Sequence, residues 1–420
     1  MRQLTGIAGP RDAGRQVKYF VRGDMGVSYH RFAALKARGG LLVNGAPAHA
    51  DYRLRPGDEV SVMLEDAPRA VPAFDETPVQ AVYEDEDILI LEKPAPLACQ
   101  CSPRQAAMTL ENRLAWRYRD DPGFVFRPLN RLDRGTSGLM AAAKNAHACQ
   151  LLQRQLHTPD FLREYLAVVD GRLEGAGAVD APIAKEQAAT IRRIVDDRRG
   201  VRAVTRYRVE RPGEAHSLVR LRLETGRTHQ IRVHMAHLGH PVAGDFLYGR
   251  EDPRLPGRFA LHSARIRLKH PITGVTIERE SPLPEAPAQI LKDDAVLGST
   301  VTVAVDRPLG SAHPAYPDLL YRVNYGRVAG VMAPDGEEQD AYVLGADGPV
   351  AAFTGRVAAI VRRRVDVEDK WVVCPEGMSY TAEEIMERVR FQERFFDSFI
   401  ITADGRAASG RAGTDMHREY

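Results

Sequence analysis

The segment from Arg127 to Gly138, RPLNRLDRGTSG, sets one carboxylate, Asp133, between Arg131 and Arg134 and follows it with a Gly-Thr-Ser-Gly run. An aspartate ordinarily titrates near pH ~3.9 and guanidinium neighbours lower that value, so Asp133 is expected to stay ionised and to be a poor proton donor. Electrostatic stabilisation and nucleophilic attack remain open to it, because a carboxylate is a competent nucleophile toward a sugar carbon bearing a leaving group. The glycines let the backbone turn sharply beside a substrate. An Arg-Asp-Arg ion network that serves only the fold accounts for the same residues. Ser137 does not complete a G-x-S-x-G element and no triad accompanies it, so serine hydrolase chemistry is not expected.

A second set of chemically able residues lies far downstream. Asp335, Glu337, Glu338 and Asp340 fall within six residues after Pro334. Clustered oxygen ligands suit Mg²⁺, and an acidic surface loop is the alternative. The four cysteines, Cys99, Cys101, Cys149 and Cys374, are too few for a disulfide framework in 420 residues and are expected to be free thiols. Cys99 and Cys101 suit neighbours on one face of a strand, and no second pair at zinc spacing joins them.

These residues need several domains to carry them, since 420 residues exceed what one core serves. The apolar fraction of 44% and charged fraction of 27% are those of an ordinary globular chain. No stretch has the apolar length of a membrane span, and the polar start lacks the apolar centre of a signal peptide, so a cytoplasmic protein without a membrane partner is expected. The net charge of +2 hides an asymmetry: residues 296–420 hold 14 Lys and Arg against 19 Asp and Glu, and the remainder holds 44 against 37. A basic remainder suits a polyanion, because neutralising phosphates supplies most sequence-independent affinity for nucleic acid.

Residues 1–70 form the first unit, with a helix in VSYHRFAALKARGG capped by Ser28 and stopped at Gly39, then short strands around GLLVNG and GDEV. Arg31, Lys36 and Arg38 lie along that helix. Prolines mark a boundary before a second unit, 75–285, with strands at ILILEKP, REYLAVVDG and SLVRLRLETG and helices at TLENRLAWRYR, AHACQLLQRQLH and THQIRVHMAHLG. Strands and helices do not alternate strictly, which predicts a mixed α+β domain. SPLPEAPAQI reads as a Pro-rich linker, residues 296–405 as a third unit, and 406–420 as a disordered tail.

Four separated motifs in the second unit, LEKPAPL, NRLDRGTSGL, REYLAVVDG and ETGRTHQIRVH, resemble in content and order the RluA-type RNA pseudouridine synthases. The resemblance implies a catalytic domain around a mostly antiparallel central sheet, acting on structured RNA (rRNA or tRNA) without a cofactor. It puts the catalytic aspartate on Asp133, the active-site tyrosine on Tyr165, the carboxylate-pairing arginine on Arg227 and the base-flipping arginine on Arg131. Asn130 stands where the family often has histidine, and Arg232 is expected with Asn130 and Arg131 among the substrate contacts. His229, His234, His237 and His240 are expected to be structural or RNA-facing rather than metal ligands, since three-residue spacing drifts around a helix. Helix, GLLVNG and GDEV in residues 1–70 resemble the small RNA-binding module shared by ribosomal proteins and RNA-modifying enzymes.

The third unit resembles soluble Mg²⁺-dependent inorganic pyrophosphatases in NYG, the acidic element after it and VDVEDKW, implying a β-rich barrel. That resemblance puts metal ligands on Asp335, Glu337, Asp340, Asp366 and Glu368, with pyrophosphate contacts on Tyr321, Tyr325 and Lys370. Glu337 replaces the usual aspartate, and Phe395 and Phe396 stand where tyrosine and lysine are expected. A pyrophosphate held by fewer cations binds weakly.

Overall fold

The computed structural model describes residues 2–64, 71–72, 75–102, 107–121, 123–156, 158–364, 368–402 and 407–409. The chain divides into two compact units, residues 1–164 with 263–282, and residues 165–262 with 283–420. The division runs through the 75–285 segment.

The first unit begins with a four-stranded sheet ordered Arg2–Ile7, Glu59–Leu64, Leu41–Val43, Ala46–Pro47. Helices Val17–Gly23 and Tyr29–Ala37 supply Val17, Phe20, Val21, Phe32 and Leu35 to a core shared with Leu4, Leu41, Val43, Val60 and Val62. Ser28 accepts the Arg31 N–H at the start of the second helix, and Gly39, with φ +71°, stands just beyond its end.

The rest of this unit is built on antiparallel strands Gln80–Glu84, Ile88–Lys93 and Ser137–Ala143, with Lys93 opposite Gly138. Every residue of Ser137–Ala143 is buried, so the strand reads as a continuous apolar run. Strands Leu261–Lys269 and Thr276–Glu280 pair with each other, and helix Ala146–Gln155 places Ala148 and Leu152 in the same core as Leu139, Ala141 and Ile266. Helix Leu110–Arg117 starts on a Thr109/Asn112 capping box. All four cysteines are free. Cys99 and Cys101 lie outside any strand, contrary to expectation; the Cys99 thiol donates to the Leu132 carbonyl at 3.0 Å while Cys101 lies beside Thr109 and Asn112.

In the second unit, strands Ala176–Asp180, Val204–Arg211 and His216–Leu223 lie in that order, antiparallel. Helix Gln230–His237 covers one face, where the Gln230 amide donates to the Val204 carbonyl and His234 bonds Thr205. SPLPEAPAQI is not a plain linker, because helix Glu285–Val296 begins inside it. Pro284 caps that helix and Pro287 sits in its first turn, where a missing N–H removes no intrahelical bond.

Five strands, Thr300–Arg307, Asn324–Met332, Glu338–Val343, Lys370–Cys374 and Ala352–Arg363, close into a barrel through pairing of the first with the last. Only the third and fourth of these strands run parallel. Buried Asp293, on helix Glu285–Val296, accepts from Arg254 at 3.1 Å and from barrel residue Arg362 at 2.9 Å, tying helix, loop and barrel together. Ala407–Ser409, expected to be part of a structureless tail, pair with strand Ser398–Thr402; the remainder of 406–420 lies outside the described residues.

Candidate active site

The RPLNRLDRGTSG segment is a connection between two short pieces of sheet. Arg127–Pro128 pair with Ala143 and Ala142, the Leu129 N–H reaches the Ala141 carbonyl, and the chain then leaves the sheet until Ser137. The Thr136 N–H closes a turn on the Asp133 carbonyl at 3.1 Å, and Gly138, with φ +105°, returns the chain to the strand in a conformation that favours glycine. Leu132 is buried, Asp133 is half-buried, and Arg131 and Arg134 are exposed.

Neither Arg131 nor Arg134 forms an ion pair among the described residues. The alternative reading, an Arg-Asp-Arg ion network, is not formed by these arginines among the described residues. These guanidinium groups stay in solvent while remaining adjacent in sequence to the carboxylate. Asn130 is buried, and neither its amide nitrogen nor its oxygen has a hydrogen-bond partner among the described residues. Leaving such a group unpaired costs about 1–3 kcal/mol.

The loop is held by the lysine of the LEKPAPL motif. Lys93, fully buried, donates to the carbonyls of Leu97 at 2.8 Å, Pro94 at 3.0 Å and Arg134 at 3.4 Å. The signal was a lysine inside the apolar strand ILILEK, where a charge survives only if it has several acceptors.

Tyr165 and Arg227 belong to the second unit. Tyr165 is buried on strand Leu162–Asp170. Arg227 is exposed on the turn after Leu223; its N–H meets the Gln230 side-chain oxygen at 2.9 Å and its Nε donates to the Arg202 carbonyl at 3.1 Å. Thr225 donates to the same Gln230 oxygen at 2.8 Å and accepts the Val204 N–H at 2.9 Å, so Gln230 and Thr225 fix the turn that presents Arg227.

Arg232 does not meet the expectation of a substrate contact. Its guanidinium is buried, clamps Asp245 through bonds of 2.6 and 2.7 Å, and lies 4.2 Å from the centre of the Phe259 ring. It ties helix Gln230–His237 to Asp245, with its side chain only 4% exposed. Three of the four histidines have partners, and His237 is exposed. His234 is bonded to the Ala181 carbonyl and the Thr205 hydroxyl, each at 2.9 Å; burial, partly offset by the Ala181 bond, lowers its pKa. His240 donates to the Asp170 carbonyl, and His229 pairs with the Tyr248 hydroxyl.

Asp85, Asp87 and His270 form the one trio of metal-type ligand atoms within 4.8 Å of one another among the described residues. His270 Nδ1 accepts the N–H groups of Ile272 and Thr273, so Nε2 carries the proton and donates to Asp85 at 2.9 Å. Asp85 also accepts from Tyr83 and from the N–H groups of Asp87 and Ile88. This is a hydrogen-bonded clasp between two turns.

The acidic set of the barrel is arranged around a lysine. Lys370, buried, contacts Asp340 and lies 2.6 Å from Glu368. Asp335 accepts the Glu337 N–H at 3.0 Å, whereas the Glu337 carboxylate meets Arg327 at 3.1 Å. Tyr321 and Tyr325 are buried with ring centres 5.5 Å apart; burial first, and then the charge of Asp340, push the Tyr325 phenol far up. Asp366 lies outside the described residues. Among the described residues of this set Lys370 stands beside Asp340 and Glu368, and Arg327, opposite Asp340 across the strands, pairs with Glu337.

Among known proteins, the RNA pseudouridylate synthase family profile matches residues 87–237. The chain is 38% identical over 266 residues to an uncharacterized RNA pseudouridine synthase of Bacillus subtilis, covering 61% of this chain and 86% of that protein. It is 37% identical over 271 residues to ribosomal large subunit pseudouridine synthase D of Escherichia coli, covering 60% and 82%. The human RNA pseudouridylate synthase domain containing 1 structure aligns with 53% of this chain and 89% of its own at 28% identity and a TM-score of 0.42.

Proposed function

The chain belongs to the RNA pseudouridine synthase family, and from that premise we propose that it isomerises uridine to pseudouridine in structured ribosomal or transfer RNA with Asp133 as its catalytic carboxylate. The observation that carries this reading is a half-buried aspartate on a tight turn, flanked by two arginines that have no ion pair among the described residues. Isomerisation breaks the bond from ribose to base, turns the base and rejoins it through carbon. It needs no redox partner and no metal.

In this reading Asp133 meets the ribose of the target uridine or assists departure of the base. The roles of Tyr165 as the active-site tyrosine that moves a proton, and of Arg227 as the carboxylate-pairing arginine, rest on the family resemblance. Arg131 and the unpartnered Asn130 amide receive the extruded nucleotide and its strand. Extrusion costs a few kcal/mol, which such contacts offset. The module of residues 2–64 is an RNA contact in the same reading, with Arg31, Lys36 and Arg38 along or just after its second helix.

Mg²⁺ and pyrophosphate at the C-terminal barrel rest on the resemblance alone. Lys370 pairs with both Asp340 and Glu368, and Arg327 is paired with Glu337. We assign no hydrolytic step to the barrel. Among the described residues no helix is long and apolar enough to cross a membrane. The function is tested by mapping pseudouridine in RNA from cells with and without the gene: sites absent from the deletion and restored by the wild-type chain support it, and identical maps oppose it.

A further inference from the structure

The hairpin Val204–Leu223 carries five arginines, four of them facing one another across the strands where ordinary sheet design would avoid like charges. Arg206 stands directly opposite Arg222, and Arg208 directly opposite Arg220. Cross-strand partners have Cβ atoms about 4.5–5.5 Å apart, and like charges so placed destabilise the sheet. The two rungs share one face, because side chains two apart along a strand point the same way. The opposite face carries Val219 and Leu221 in the core and Thr205 under helix Gln230–His237, so the arginine face looks outward.

Two carboxylates, Glu224 and Glu210, lie against the ladder, and both lie low. Glu224 meets Arg206 at 2.5 Å, and Glu210 serves both Arg220 at 2.5 Å and Arg208 at 3.7 Å. Arg222 has no ion pair among the described residues. Arg206 and Arg208 side chains are 61% and 69% exposed, against 34% for Glu224 and 25% for Glu210. An approaching molecule therefore meets guanidinium before carboxylate. On the neighbouring strand the residues opposite Arg206 and Arg208 are Ala178 and Ala176, both exposed and too small to cover them. Exposed Arg211 extends the positive surface at the far end. At the near end the strand begins two residues after Arg202, whose carbonyl holds the Arg227 guanidinium.

We propose that this arginine ladder binds the phosphodiester backbone of the RNA flanking the target uridine, along a track that starts beside Arg227. The proposal rests on the reading of the chain as an RNA-modifying enzyme and adds where its substrate is gripped. Repulsion across each rung, unfavourable in the free protein, becomes useful when phosphates lie over the face, since each phosphate neutralised releases counter-ions. Such contacts fix register and carry no base sequence.

The experiment uses the full chain, a labelled transcript of a structured ribosomal RNA fragment, and binding isotherms across a salt series. The ladder variant is Arg206→Gln, Arg208→Gln, Arg222→Gln. The charge-matched control is Arg388→Gln, Arg390→Gln, Arg394→Gln, at exposed positions on and just after helix Ala382–Glu393. The ladder variant is expected to bind roughly tenfold or more weakly at low salt, with the slope of log K against log salt shallower by about 2 to 3. The control should keep the wild-type slope, and the ladder variant should melt no lower than wild type because rung repulsion is relieved. Equal slopes in ladder variant and wild type overturn the proposal, as does an equal loss in the control. Pseudouridine formation by wild type is read on the same transcript. A wild type that binds with the ladder signature but converts nothing defeats the enzymatic reading while leaving the ladder standing.

Discussion

The buried ammonium of Lys93 donates to the carbonyl oxygen of Arg134, the residue after Asp133, at 3.4 Å. The same oxygen accepts the Leu97 N–H at 2.9 Å, so the turn bearing the candidate catalytic carboxylate is pinned from the strand beside it. Lys93→Met keeps the apolar stem and takes the ammonium donor from the Pro94 and Leu97 carbonyls, while the Arg134 carbonyl keeps the Leu97 N–H. It is expected to cost about 2–4 kcal/mol in denaturant unfolding, at about 1–3 kcal/mol for each group left unsatisfied and with partial relaxation. Where the variant is still folded, pseudouridine formation should fall by more than RNA affinity does.

Arg232 and Asp245 form a buried bidentate pair. Asp245→Ala strands a buried guanidinium and should lower stability by about 3–5 kcal/mol. Because Arg232 is placed inside the fold, Arg232→Lys is expected to lower the melting temperature without changing the salt slope of RNA binding. A changed slope with unchanged melting would return Arg232 to the RNA surface.

Glu84 gives a pH signature. Burial raises its pKa, but bonds from Lys144, Tyr118 and Arg117 outweigh burial and hold it at about 2. The folded value lies below the unfolded one, so the stabilisation is fully present above pH ~4.5 and is lost as pH falls through about 2. Melting temperature followed from pH 5 to 2 should drop more steeply in wild type than in Glu84→Gln, whose curve starts lower. Parallel curves would show that Glu84 contributes nothing to acid sensitivity.

The C-terminal barrel yields a negative expectation. With Lys370 seated between Asp340 and Glu368, the purified chain given Mg²⁺ and pyrophosphate should release phosphate no faster than its Asp340→Asn variant. A clear wild-type excess would restore a hydrolytic role.

Much of this architecture was legible in residue order. Ser28, Thr109 and Asn145 cap helices at the N-terminal ends of the polar, apolar-periodic runs, and the fully buried strand Ser137–Ala143 shows as an unbroken small and apolar run. The helix in SPLPEAPAQI was hidden because proline tolerated in a first turn looks the same in sequence as proline in a linker. The role of Arg232 was hidden because its partner Asp245 lies thirteen residues away and only the fold closes the pair. Arg131 and Arg134 suggested a local ion network, yet adjacency in sequence does not decide where long side chains point, and both go to solvent. The arginine ladder needed the register of two strands before its like-charged rungs became visible.

The central claim is chemical and concerns Asp133. The most direct test is single-turnover pseudouridine formation on a ribosomal RNA transcript by wild type and Asp133→Asn, with RNA affinity and melting temperature measured on the same preparations. The account predicts binding and melting close to wild type and a rate lower by about a thousandfold or more, as for loss of an essential group in covalent catalysis. A well-folded Asp133→Asn that converts uridine at the wild-type rate would contradict it.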